Sequence, residues 1–141
     1  MANQSRKVYL AQSVFIAFMD RAHKKHTQAA AFFRYFAQQN YRLYTDILVL
    51  YETHRLIHSQ MSPSLSLDLL RTIPYANINI IYPQEADIKA AIKIVSNYRS
   101  PELTLEKAVM GVLAVKRGIG QIATLDYLPS LFGLTTFYLP I

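Results

Sequence analysis

The chain has 141 residues, about the size of one domain, and 52% of them are hydrophobic, enough to build a core. Fifteen Lys and Arg against nine Asp and Glu leave a net charge of +6, which suits a polyanionic partner without identifying one. Cysteine is absent, so disulfides, thiolate metal sites and thiol chemistry are excluded.

Arg6 and Lys7 before the apolar stretch Val8 to Met19 imitate a secretory leader. Gln12 and Ser13 interrupt the stretch, however, and Asp20–Arg21 stand where a small-residue cleavage site belongs. No apolar run is long enough to span a bilayer, so the expectation is a cytoplasmic protein without membrane contact.

In chain order, "KVYL" reads as a short buried strand and Ser13 to about Met19 as a short helix. The turn between them, with Ala11, Gln12 and Ser13, carries no charge. "HKKHTQAAAFFRYFAQQN" places Ala29, Phe32, Phe33 and Phe36 at helical spacing, and "YRLYT" alternates as a strand. Asp46 to about Gln60 reads as a long helix with Ile47, Leu50, Tyr51 and Ile57 inward. "SPSLSLDLLRT" is a helix opened by Ser62 and Pro63, and "ANINIIY" is a strand. "QEADIKAAIKIVSNY" is amphipathic, and Pro101 marks the break after it. Thr104 to Arg117 is the last long helix, ended by Gly118, and "QIAT" and "LTTFYL" are the last strands. No repeat or linker divides residues 1–141, so one domain is expected. Strands alternating with helices predict a parallel sheet covered on both faces, with any ligand at the C-terminal strand edge. Ala11, Asp46 and Asp126 each follow a strand at that edge.

Several side chains have a chemical and a plain structural reading. Glu52 lies within the apolar helix "ILVLYETHRLI", either as an exposed carboxylate or as one partly buried beside Leu48, Tyr51 and Arg55. Asp126 is a turn or capping residue, or a site acid. His54 and His58, and His23 and His26, have spacings that can hold zinc, but no HExxH motif supports it and solvated imidazoles explain them. Gly118 and Gly120 do not make a phosphate loop. The ten tyrosines and seven phenylalanines suit a core or a dimer interface better than base stacking. Lys107 falls in the first turn of its helix, where a cation opposes the helix dipole and Glu106 partly offsets it.

Four stretches then align with a known family. "VYLAQSVFIAF", "TDILVLYETHRLI", "SPELTLEKAVMGVLAVKRGI" and "QIATLDYL" occur in the order and spacing of a PIN domain, and the chain resembles in particular the PIN ribonuclease toxins of bacterial toxin–antitoxin pairs. The resemblance runs from about Val8 to Pro140. It implies a three-layer fold whose five-stranded parallel sheet has the order 3-2-1-4-5 and is flanked by helices. It implies Mg²⁺- or Mn²⁺-dependent RNA hydrolysis by carboxylates gathered at the C-terminal strand edge. Carried over position by position, the first family acid falls on Ala11 and the third on Lys107, while Glu52 and Asp126 keep the second and fourth. A slip of one residue puts Glu106 at the third position, and Asp46 is a further substitute acid.

Three readings follow. In the first, the chain is a PIN-like protein with a degenerate site, no expected cofactor, and RNA or an antitoxin-like protein as partner. In the second, it is a working Mg²⁺- or Mn²⁺-dependent endoribonuclease, with Glu52, Asp126 and substitute acids holding the metal. In the third, it is a non-catalytic interaction module. A homodimer is expected from the apolar and aromatic load.

Overall fold

A computed structural model of the chain describes residues 6–126 and 132–140. The elements in order are β1 (Lys7–Leu10), α1 (Gln12–Met19), α2 (His26–Gln38), β2 (Arg42–Asp46), α3 (Ile47–Gln60), α4 (Pro63–Thr72), a 3₁₀ turn (Ile73–Tyr75), β3 (Ile78–Ile81), α5 (Glu85–Tyr98), α6 (Leu105–Lys116), β4 (Gln121–Ala123) and β5 (Thr135–Thr136). All neighbouring strands are parallel and the sheet order is β3-β2-β1-β4-β5, as the resemblance implied. None of the described helices is long and apolar enough to cross a membrane.

β1 shows why the sheet sits between two layers. Its side chains alternate faces, yet Val8, Tyr9 and Leu10 are all fully buried. Val8 and Leu10 join one core with Phe15 of α1, Phe32 and Phe36 of α2, Val49 and Ile57 of α3 and Leu69 of α4. Tyr9 joins the other, with Ala91 of α5, and Val109 and Leu113 of α6. Each fully buried aliphatic or aromatic side chain contributes about 1.5–3 kcal/mol relative to exposure, so this central strand is anchored from both sides.

The helix ends follow their local chemistry. Asp46 caps α3 by accepting from the Val49 amide at 2.9 Å. Ser62 caps α4 from the Leu65 amide at 3.0 Å, with Pro63 in the first turn. Gln84 and Asp87 close a capping box on α5, and Thr104 caps α6 from the Lys107 amide at 3.2 Å. Gly118, at φ 67°, ends α6 in the left-handed conformation, and the Ile119 amide returns to the Ala114 carbonyl at 2.9 Å.

Two expectations need correction. Tyr51 faces outward, 66% exposed, whereas Thr53 is buried in the inward stripe of α3. Thr53 tolerates burial because its hydroxyl donates to the Val49 carbonyl at 2.7 Å, so the apolar stripe contains a polar residue with a satisfied hydroxyl. The "LTTFYL" run forms only a two-residue strand, although the Phe137 amide extends the pairing with a bond to the Ile122 carbonyl at 2.8 Å. Tyr127 and Leu128 of "QIATLDYL" lie outside the described residues.

Candidate active site

Parallel pairing brings three strand ends together. The register Leu10↔Ala123 and the bond from the Ala11 amide to the Ala123 carbonyl at 3.0 Å set Ala11 beside Thr124. On the other flank, the Thr45 hydroxyl donates to the Leu10 carbonyl at 3.0 Å, which holds the end of β2 against the end of β1. The N-terminal turn of α6 closes over this edge. A cavity of about 70 Å³ results, with Ala11, Ser13, Glu106, Lys107, Thr124 and Asp126 in its wall. A larger groove of about 430 Å³, lined by residues such as Phe15, Phe33, Leu69 and Tyr75, carries no charged side chain. Charged side chains line the smaller one and two shallower depressions beside it, which share Lys25 and Asp126.

The sequence singled out Ala11, Glu52, Lys107 and Asp126, with Asp46 and Glu106 in reserve. Ala11, Lys107, Asp126 and Glu106 share the cavity wall. Glu106 is half-buried, and its carboxyl is pushed up to about 7, first by burial and then by the Asp46 and Glu52 carboxylates, with Lys107 opposing. Asp46 and Glu52 thus stand near enough to Glu106 to act on it.

Asp46 is fully buried. One oxygen accepts from the Val49 amide and the other from the Tyr9 hydroxyl, so it works as the cap of α3. Burial raises its pKa while those two donors pull it down. Burial, followed by the Asp46 carboxylate, pushes the Tyr9 phenol far above its ordinary range, so Tyr9 remains a neutral donor.

Glu52 does not turn toward Lys107. Both its oxygens accept from the Arg55 guanidinium, at 2.9 and 2.7 Å, and this pairing holds the carboxyl below its usual range. Arg55 lies three residues along the same helix face and meets Glu52 as a fork. Lys107 donates from Nζ to the Glu102 carbonyl at 3.2 Å, in the loop before α6.

On the outer side, the Ser13 hydroxyl accepts from the Leu125 amide at 2.8 Å and lies 3.2 Å from the Thr124 hydroxyl. The Asp126 amide donates to Thr124 Oγ1 at 3.1 Å, and Asp126 is exposed at the rim. The Lys25 ammonium donates to the Leu125 carbonyl at 3.1 Å. Sequence reasoning missed Tyr9, Ser13, Thr124 and Lys25 as site neighbours. For Arg55 a signal existed, since its spacing from Glu52 is that of a helical ion pair. The zinc-like histidine spacings serve local ends: His23 Nδ1 accepts from the Lys25 amide at 3.0 Å, and His26 Nδ1 lies 2.9 Å from the Ala17 carbonyl. The His54 and His58 rings lie 5.8 Å apart on α3.

Mg²⁺ demands oxygen ligands in near-octahedral array. Here the wall offers the Glu106 and Asp126 carboxylates beside a methyl group at Ala11 and an ammonium at Lys107, and Glu52 is engaged by Arg55. Among the described residues no group of three His, Asp or Glu is placed to hold a metal.

Neither a family model nor a curated protein matches the chain. Solved structures do match, among them the crystal structure of VapC20 from Mycobacterium tuberculosis, a sarcin–ricin loop cleaving toxin. The match has a TM-score of 0.75 at 17% sequence identity and covers 84% of this chain and 89% of that one. At this identity the likeness is one of fold, and the chain has the PIN-like α/β fold.

Proposed function

We propose that this PIN-like chain binds RNA at the C-terminal edge of its sheet and that its hydrolytic centre is degenerate. The observation that carries the reading is the composition of the edge cavity. Where the resemblance expects carboxylates, Ala11 contributes a methyl group and Lys107 an ammonium. Glu52 retains its position but both its oxygens are on Arg55. RNA as the partner is supported by three features: the net charge of +6, the Lys24 and Lys25 side chains lining a depression against Asp126, and the likeness to a toxin described as cleaving the sarcin–ricin loop.

The chain's own residues suit binding. Lys107 and Lys25 bring cations to an edge that also carries the Ser13 and Thr124 hydroxyls, side chains of the kind that contact a phosphodiester and fix its register. An ammonium neutralises phosphate charge but does not generate hydroxide from water as a bound metal does.

One observation favours the second reading, a metal-dependent endoribonuclease. Glu106 shares the cavity with Asp126 and titrates near neutrality, so a third acid stands close to the expected position. An RNA retention assay beside a cleavage assay in Mg²⁺ and Mn²⁺ separates the readings. Retention that weakens steeply with salt, without cleavage, is the expected result. Cleavage abolished by Glu52→Gln establishes the nuclease instead. No retention at low salt leaves the protein-interaction module.

A further inference from the structure

We propose that the depression next to Asp126 is a nucleobase site for single-stranded RNA, with the Tyr138 ring as its stacking face and Lys25 as the cation for the adjoining phosphate; this rests on the RNA-binding reading above. The depression has a volume of about 390 Å³, and Lys25, Gln28, Asp126, Thr136 and Tyr138 are in its wall. That is room for one base and part of its sugar.

Tyr138 is placed by its neighbour. The Phe137 ring is 4% exposed and packs against Phe32, Phe36, Tyr35 and Tyr41 at centroid distances of 5.6, 4.8, 5.5 and 6.0 Å. Extended backbone alternates sides, so burying Phe137 turns Tyr138 outward, where it is 79% exposed. A large exposed aromatic on the wall of a depression that also holds polar and charged side chains offers a stacking face. Every base has a π face, and stacking on tyrosine needs no particular sequence. Gln28, exposed across the depression, offers both a donor and an acceptor to a base edge.

Lys25 supplies the charge. It is half-buried and its ammonium spends one donor on the Leu125 carbonyl at 3.1 Å, which fixes it beside Asp126 with donors left for phosphate. It also walls a second depression of about 330 Å³, shared with His23, Lys24 and Asp126. A strand that stacks a base on Tyr138 can thus run past Lys25 toward Lys24. A duplex does not fit this arrangement, because its base faces are closed to a side chain that does not unstack them.

The test is fluorescence anisotropy of labelled single-stranded RNA of about ten nucleotides, in chelator so that cleavage does not intervene. Tyr138→Ala should weaken binding roughly 5- to 150-fold, and Tyr138→Phe should leave it within about twofold. Lys25→Gln should lower the salt slope by about 1. The chain has no tryptophan, so Tyr138→Trp introduces a unique indole whose emission should be quenched when RNA binds. Wild-type binding with Tyr138→Ala unimpaired, unmoved emission of Tyr138→Trp at saturation, or equal affinity for the corresponding duplex overturns the base site while RNA binding stands. Absence of wild-type binding at low salt overturns the RNA-binding reading, and the base site with it. Melting curves of the variants confirm that an exposed position has been changed without loss of fold.

Discussion

Tyr9→Phe removes one hydroxyl from the centre of the molecule, and its cost should depend on pH. The hydroxyl donates to Asp46, which is fully buried and whose other oxygen caps α3. Burial raises the Asp46 pKa above its ordinary 3.8, so the folded state keeps the proton longer than the unfolded chain does. Stability contributed by this group therefore falls as pH rises from about 3.8 toward the folded value, by at most about 1.4 kcal/mol per pH unit. The Tyr9 bond favours the ionised form and limits that loss. Without it the Asp46 pKa moves higher still and the decline continues further. A hydrogen bond to a neutral acceptor is worth about 1 kcal/mol and one to a charged acceptor about 1.5–3. Between pH 4 and pH 8 the cost of Tyr9→Phe should therefore grow with pH, from about 1 kcal/mol against a neutral acceptor toward about 1.5–3 kcal/mol as the acceptor ionises. Urea unfolding of both proteins across this range measures the difference, in which groups distant from Asp46 cancel. A difference that shrinks as pH rises would contradict the reasoning, because the Tyr9 bond would then favour the protonated form of Asp46.

Other perturbations test other parts of the site and core. Glu106→Gln should stabilise the protein at pH 8 relative to wild type and change little at pH 4.5. The folded carboxyl titrates near 7 and the unfolded one at 4.5, so the penalty accumulates between these values; chemical denaturation at both pH values checks it. Ala11→Asp with Lys107→Asp should create divalent-ion binding visible by calorimetry with Mn²⁺. Tight binding by the unmodified chain, lost in Glu52→Gln, would remove the case for a degenerate centre. Gly111→Ala should cost about 1–3 kcal/mol, because a Cβ there falls 2.2 Å from the Phe132 ring and the whole ring must move; an unchanged melting temperature contradicts this. Tyr51, Leu67, Leu70 and Tyr75 are exposed, and if the proposed homodimer covers such side chains, light scattering should give twice 16.1 kDa, with 16.1 kDa itself refuting it.

The layered sheet was legible because its signals are local. "KVYL" is apolar on both faces, as only a central parallel strand needs to be, and Ser62–Pro63 and Gly118 mark helix ends by their own backbone preferences. The partnership of Tyr9 with Asp46 was not legible. It depends on the β1–β2 register, in which Tyr9 sits opposite Tyr44, and sequence periodicity does not carry register. The choice between Glu106 and Lys107 is illegible for another reason. They are consecutive in the first turn of α6, and both reach the same cavity, so placing the helix correctly does not decide which of them meets the other acids. Burial and the neighbouring carboxylates distinguish Glu106 only in three dimensions.

The turn at Ala11 is secured by main-chain atoms: its amide bonds to the Ala123 carbonyl, its carbonyl accepts from the Val14 amide at 3.2 Å, and no side-chain cap opens α1. The bonds that hold the turn therefore do not run through the residue 11 side chain, whose methyl group packs at the margin of the core. Exchange of that methyl group for a carboxylate would leave every main-chain bond of the turn in place, so the strand ends act as a frame whose chemistry can change while its geometry stays.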